Sequence, residues 1–240
     1  MSTFRFKRFE VVNERSAMKV NTDGVLLGAL MCLKSSDRRL LDVGTGTGTI
    51  ALMAAQRLDG TARIDAVDID PDSPDEATAN FRRSPWAENL HAYNHSLESY
   101  SSILDESIRY DLIFSNPPYF EASQEAPEKR RSNARHTSSG LSYRELLDFA
   151  QERLDEDGRF AIVLPAEQEL PLTRYARMCG LHLFRMTRIR TVPRKNPNRI
   201  VAEFSRSRCE APEDRTLTIQ DEGKYTQEYL SLMHDFYLFA

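Results

Sequence analysis

The run Asp42-Val43-Gly44-Thr45-Gly46-Thr47-Gly48-Thr49 constrains this chain more than any other stretch. Its first two residues close the short, largely apolar run 40–43, and it precedes residues 50–58, whose pattern predicts a helix. Glycines at alternate positions let the backbone turn sharply and approach a ligand with no side chain in between. Strand, glycine turn and helix in that order open an α/β sheet, and such sheets bind ligands at the carboxyl ends of their strands.

The rest of the chain continues the alternation. Residues 64–69 read as a strand ended by Asp70-Pro71, 75–83 as a helix, 90–94 as a strand and 110–115 as another. Asn116-Pro117-Pro118-Tyr119 stops that last strand, because proline cannot donate to a ladder. A polar loop spans 120–141, and a helix over 143–155 ends at Asp157-Gly158. Residues 160–164 form a strand, 167–178 a helix, and 181–192 and 200–204 two strands joined by the 193–199 loop. A terminal amphipathic helix is predicted over 225–239. Upstream, residues 1–22 look extended, and Thr22 or Asp23 is placed to cap a helix over 24–33. Alternating strands and helices imply a mostly parallel sheet covered on both faces, with an antiparallel end. One domain is expected over 1–240: an extension and helix (1–36), a core (37–206) and a closing strand and helix (207–240).

Composition narrows the function classes. At 240 residues, one large α/β domain fits better than two. A net charge of −4 argues against a uniformly basic nucleic-acid binder, so the distribution of charge matters more than its sum. Cys32, Cys179 and Cys209 lie far apart without CxxC spacing, which predicts neither a disulfide framework nor a metal site. The N-terminus lacks the apolar core of a signal peptide, and the longest apolar run, 25–33, is far short of the roughly 20 residues of a membrane span. The expectation is a soluble cytoplasmic protein, with a monomer favoured.

The glycines are spaced GxGxG, unlike the GxGxxG dinucleotide fingerprint or a GxxxxGK[ST] phosphate loop, and no lysine follows to reach a phosphate. Asp42 would repel a phosphate but could receive an ammonium group. That combination favours a cofactor with an amino-acid end, such as S-adenosylmethionine. Asp68, twenty residues after Gly48, could accept hydrogen bonds from ribose hydroxyls.

The Asn116-Pro117-Pro118-Tyr119 turn suits a particular chemical problem. An exocyclic amino nitrogen such as that of adenine is a poor nucleophile, because its lone pair is delocalised into the ring. Two acceptors that bind both N–H hydrogens draw the lone pair back. Asn116 Oδ1 and the Pro117 carbonyl could do so, with Pro118 stiffening the turn. Tyr119 could stack on the base, a contact worth roughly 1–3 kcal/mol. The base would have to be unstacked to arrive there.

Together these motifs resemble the class I, Rossmann-like methyltransferases with an Asn-Pro-Pro-Tyr turn. The segments Ala17-Met18-Lys19-Val20-Asn21-Thr22-Asp23-Gly24-Val25-Leu26-Leu27-Gly28, Ser84-Pro85-Trp86-Ala87 and Asp235-Phe236-Tyr237-Leu238 narrow this further. They resemble the bacterial tRNA1(Val) (adenine(37)-N6)-methyltransferase family, from about residue 9 to the end of the chain. The resemblance implies a mostly parallel seven-stranded sheet with helices on both faces and an antiparallel C-terminal strand. It implies catalytic roles for Asn116, Pro117, Pro118 and Tyr119. The expected cofactor set is Thr22, Asp42, Gly44, Thr45, Gly46, Gly48, Asp68, Ile69, Ser96 and Asn116. Ser96 stands where family patterns usually carry an aspartate for the cofactor's adenine, with His95 and Glu98 nearby.

Charge is segregated. Eight basic residues fall between Arg174 and Arg199 with no Asp or Glu among them. A second cluster, Lys129, Arg130, Arg131, Arg135 and His136, follows the proline turn. Such residues supply much of the affinity for a phosphate backbone, so Arg188, Arg190, Arg194, Lys195 and Arg199 join the second cluster as the expected RNA contacts. Three rivals stay open: the same chemistry on a protein glutamine or another RNA or DNA amino group, a non-enzymatic RNA-binding module, and an oxidoreductase. The basic clusters favour RNA over glutamine. The intact set of Asp42, Asp68 and Asn116 disfavours a module, and the GxGxG spacing disfavours an oxidoreductase.

Overall fold

A computed structural model describes residues 2–118 and 141–240. Tyr119 and the cluster at 129–136 lie outside the described residues. A short antiparallel hairpin, β1 (Thr3–Arg5) and β2 (Glu10–Val12), leads into helix α1 (Thr22–Leu30). The core then alternates β3 (Arg39–Val43), α2 (Thr49–Arg57), β4 (Arg63–Asp68), α3 (Asp72–Arg83), β5 (Leu90–Asn94), α4 (Leu97–Ile103) and β6 (Tyr110–Ser115). From residue 141 onward come α5 (Tyr143–Arg153), β7 (Leu154–Pro165), α6 (Glu169–Met178), β8 (His182–Arg190), β9 (Arg199–Ser205) and β10 (Glu213–Thr218). A two-residue pair, β11 (Gln220–Asp221) and β12 (Lys224–Tyr225), and helix α7 (Gln227–Met233) close the chain.

The main sheet runs β10-β8-β9-β7-β6-β3-β4-β5, with β9 antiparallel to both neighbours and every other pairing parallel. It has eight strands rather than seven, because β10 adds itself beside β8 at the edge. Successive side chains of a strand face opposite sides, and the central strands are apolar on both. Leu40, Ile64, Leu112 and Val163 pack with α1, α2 and the chain's two ends. Leu41, Val67, Ile113 and Ile162 pack with α4, α5 and α6.

Several boundaries differ from the sequence-based expectation, each for a local reason. Helix α1 is capped by Asn21, not Thr22 or Asp23. The Asn21 side chain accepts the Gly24 N–H at 2.8 Å, and Thr22 is already helical. The helix ends at Leu30 because Arg57 reaches across to the carbonyls of Gly28 and Met31, at 2.9 and 2.8 Å. Helix α5 stops at Arg153, and Asp157-Gly158 falls inside β7, at an irregularity where a Cβ on Gly158 would come within 2.8 Å of the Tyr110 carbonyl oxygen. Helix α4 was not foreseen; Ser96 caps it. The terminal helix is shorter than 225–239, since Tyr225 belongs to β12 and Phe236 and Tyr237 turn into the core.

Gly48 fixes how α2 leaves the loop. Its φ is +80°, and a Cβ there would lie 2.4 Å from the Phe81 ring on α3. Gly48→Ala therefore combines a left-handed backbone penalty with overpacking, an expected loss of about 2–4 kcal/mol. Urea unfolding measures it; an unchanged midpoint would contradict this packing.

Candidate active site

The carboxyl ends of β3, β4, β5 and β6 open on one edge of the sheet, and the glycine loop lies across them. Gly44, Gly46 and Gly48 have φ of +74°, +53° and +80°, values that side-chain-bearing residues rarely adopt. The loop is tied to β4: the N–H groups of Gly44 and Thr45 both donate to the Val67 carbonyl, at 2.8 and 3.2 Å. Gly46 N–H donates to Asp68 Oδ2 at 2.8 Å.

Asp42, the last but one residue of β3, is fully buried at 0% exposure. Its Oδ2 accepts from the Thr45 hydroxyl at 2.8 Å, while its Oδ1 has no hydrogen-bond partner among the described residues. Burial pushes its pKa up to about 7, although the Thr45 hydrogen bond opposes the shift. The Ala51 N–H in the first turn of α2 also favours the ionised carboxylate, but Oδ1 makes no hydrogen bond of normal geometry among the described residues, and a buried acceptor left so is costly unless a further donor reaches it. Asp68 is partly buried, and burial raises its pKa too. Its oxygens already accept from the backbone N–H groups of Gly46 and Asp70. Each oxygen has a further lone pair for a hydroxyl donor.

Asn116 follows β6 and is 4% exposed. Its Nδ2 approaches Asn21 Oδ1 at 3.4 Å and Met18 Sδ at 3.6 Å. Pro117 is buried behind it and Pro118 is partly exposed. One cavity is lined by Gly44, Thr45 and Gly46 from the loop, by Asn116, and by Met18 and Asn21 from the segment before α1. The proline turn and the glycine loop, 70 residues apart in the chain, thus face a common space.

Sequence reasoning marked residues 17–28 for their family resemblance but missed that Met18 and Asn21 line this cavity. The N-terminal segment is clamped onto α3: Glu76 accepts backbone N–H groups of Glu14, Arg15 and Ser16 at 2.7, 2.9 and 2.9 Å. Burial works against ionising Glu76, but these donors outweigh it and hold its pKa below the usual range. Ser16 meets Ser73 at 2.9 Å, and Ala17 N–H reaches Asp70 at 3.2 Å. Clamped so, the segment lies against the loop, since a Cβ on Gly46 would come within 3.3 Å of the Met18 carbonyl. Asn21, a good capping residue just before an apolar run, was the available signal.

Other expected site residues lie apart from this cavity. Thr22 sits exposed in the first turn of α1. Ile69 is 69% exposed beside Asp68. Ser96 Oγ accepts Ser99 N–H at 3.1 Å as the cap of α4. The arginine stretch is partly neutralised by acids from other elements. Arg188 pairs with Glu169 and Asp214, and Arg199 with Asp23 at 2.7 Å. Arg190 donates to the Thr218 hydroxyl and the Pro193 carbonyl. Arg194 and Lys195 are exposed, with no ion pair among the described residues. Among those residues no His, Cys, Asp or Glu cluster could hold a metal, and no helix is long and apolar enough to cross a membrane.

Known proteins match this arrangement. The family model of the methyltransferase small domain matches residues 16–180. A tRNA1(Val) (adenine(37)-N6)-methyltransferase from Parabacteroides distasonis is 43% identical over 98% of this chain and 97% of its own length. A protein of the same name from Escherichia fergusonii is 37% identical over 98% and 95%. Among solved structures, a predicted O-methyltransferase from Agrobacterium tumefaciens superposes with a TM-score of 0.65 at 16% identity, covering 89% of this chain and 96% of that one. NSun6 from Pyrococcus horikoshii, solved with SFG, gives 0.59 at 14% identity, covering 78% and 52%. The solved structures speak for the fold, and the sequence relatives for the family. By its family match and its near full-length relatives, the chain belongs to the methyltransferase small-domain family, in the group of proteins named tRNA1(Val) (adenine(37)-N6)-methyltransferase.

Proposed function

We propose that this chain methylates N6 of an adenosine in tRNA, at position 37 of tRNA1(Val), with S-adenosylmethionine as donor. One observation carries the reading: the amide of Asn116 and the loop beside Asp42 line the same cavity. The residues present fit the donor. Asp42 offers a buried, unpartnered oxygen to an ammonium group. Gly44 and Gly46 leave the backbone open to close approach, Asp68 stands ready for ribose hydroxyls, and exposed Ile69 offers an apolar surface to an adenine ring. When bound, the donor supplies a methyl group on a positively charged sulfur, which leaves as a neutral thioether.

The chain's own residues do the rest. The target base is extruded from its stack to reach the turn. Asn116 Oδ1 and the Pro117 carbonyl accept the two amino hydrogens and localise the nitrogen lone pair. Positioning and aimed acceptors lower the barrier. No strong base is required, because the amino proton becomes acidic only after transfer. Tyr119 stacks on the base, and Pro118 stiffens the turn. Arg194 and Lys195, with Arg188, Arg190, Arg199 and the cluster at 129–136, bind the RNA backbone. The protein acts as a cytoplasmic monomer on this reading. The names of its near full-length relatives favour RNA over a glutamine side chain.

Three outcomes test it. Asn116→Ala should lower methyl transfer to a tRNA1(Val) transcript by about 10²-fold or more while leaving donor affinity nearly unchanged. A tritium-methyl assay beside calorimetry decides, and full turnover in the variant would reject the role. Donor affinity should also depend on pH. Burial pushes the Asp42 pKa up to about 7, and an ammonium ligand binds its ionised form. Affinity should therefore rise with pH by up to about tenfold per unit below 7, and fall again once the ligand's α-amino group, with an ordinary pKa of about 7.7–8.0, loses its proton. Asp42→Asn should flatten the profile in calorimetry; an equally steep slope in the variant would point to another group. Finally, the pair Arg194→Ala and Lys195→Ala should reduce the slope of log affinity for tRNA against log salt by about 1–2. An unaltered slope would place the RNA elsewhere.

A further inference from the structure

An asparagine amide can serve as the acceptor for a substrate N–H only if its oxygen, not its NH2, points at the substrate. The residue type alone does not make that choice. We infer that Asn21 makes it, as a positioning residue that fixes which end of the Asn116 amide faces the target amino group. The inference rests on the role proposed for Asn116.

Asn21 has its own orientation set by the backbone on both sides. The Gly24 N–H can only donate, and it meets Asn21 Oδ1 at 2.8 Å. The Lys19 carbonyl can only accept, and it meets Asn21 Nδ2 at 3.1 Å. A flip of the Asn21 amide would set donor against donor and acceptor against acceptor. The Asn21 oxygen is therefore fixed, and the same atom lies 3.4 Å from Asn116 Nδ2. An oxygen there demands that Asn116 turn its NH2 toward it. Met18 Sδ, a weak acceptor, lies 3.6 Å from the same NH2 and adds to the preference. With its NH2 committed to the N-terminal segment, Asn116 carries its oxygen on the opposite side of the amide. Polarity passes in this way from the backbone of the α1 cap, through one side chain, to the proposed acceptor.

Gly24 packs beside this pair: a Cβ at that position would sit in ordinary contact, 3.4 Å from Asn116 Nδ2 and 3.5 Å from Asn21 Oδ1. Asn21 is thus more than a helix cap. Serine would cap α1 equally well, yet its hydroxyl is one bond too short to stand in for the amide oxygen at Asn116.

A set of variants separates positioning from capping. Asn21→Ser, Asn21→Asp, Asn116→Asp and the double variant Asn21→Ser/Asn116→Asp are compared for kcat with a tRNA1(Val) transcript. Donor dissociation constants and melting temperatures are measured alongside. Asn21→Ser should lower kcat by about 10–100-fold with donor affinity and melting temperature held. Asn21→Asp, which keeps an oxygen facing Asn116, should recover most of that loss. A carboxylate at 116 has oxygens at both ends and no orientation to choose, so Asn21→Ser should cost nothing further in the Asn116→Asp background. A wild-type kcat in Asn21→Ser, or an equal loss in both backgrounds, would overturn the inference and leave Asn21 a cap alone. Loss of turnover in Asn116→Ala with none in Asn21→Ser defeats this inference only. Retained turnover in Asn116→Ala defeats the parent reading, and this one with it.

Discussion

A carboxylate buried without a full set of partners stands at the centre of this protein. Asp42 occupies the end of an apolar strand, takes one hydroxyl from Thr45, and leaves one oxygen with no partner among the described residues. Burying such a group is unfavourable by itself, and the surrounding loop is shaped around it. Three left-handed glycines carry the backbone past the acid and over to β4, where Val67 and Asp68 take its N–H groups. Gly48 then sends α2 away against Phe81. Loss of that packing would displace the loop, and with it the cavity that Gly44, Thr45 and Gly46 line beside Asp42.

The second wall of that space comes from outside the sheet. Residues 14–17 have little regular structure of their own. They are held by side chains of α3 and its leading turn, chiefly Glu76, whose carboxylate takes three backbone donors in a row. The clamp brings Met18 and Asn21 against Asn116. A segment that caps a helix at one end and meets the proline turn at the other couples the start of the chain to the chemistry proposed for its middle.

The basic stretch between Arg174 and Arg199 shows how sequence distance misleads about charge. No acid interrupts it along the chain, yet the sheet and α6 set Glu169 and Asp214 beside Arg188, while α1 sets Asp23 beside Arg199. Exposed pairs of this kind contribute little to stability, but they lower the charge presented to a polyanion. Arg194 and Lys195, at the tip of the β8–β9 loop, keep theirs among the described residues. The proposed RNA surface is therefore narrower there than the linear pattern suggested.

Much was legible from the chain alone, because it depends on neighbours in sequence. The period of apolar residues marked β5 and β6 at their observed ends and β3, β4, β8 and β9 to within a residue or two, but it missed the first six residues of β7. The GxGxG turn, the acids at 42 and 68, and the proline stop after β6 are local chemistry. Tertiary structure decided what depends on contacts between distant residues. Arg57 ends α1, the Tyr110 backbone turns Asp157-Gly158 into part of β7, and the packing of Phe236 and Tyr237 shortens the last helix. It also made Ser96 a helix cap and drew Asn21 to Asn116. Hydrophobic period and turn chemistry are written residue by residue, whereas the direction of an amide or the neutralisation of an arginine is set by whichever group the folded chain brings within hydrogen-bonding reach.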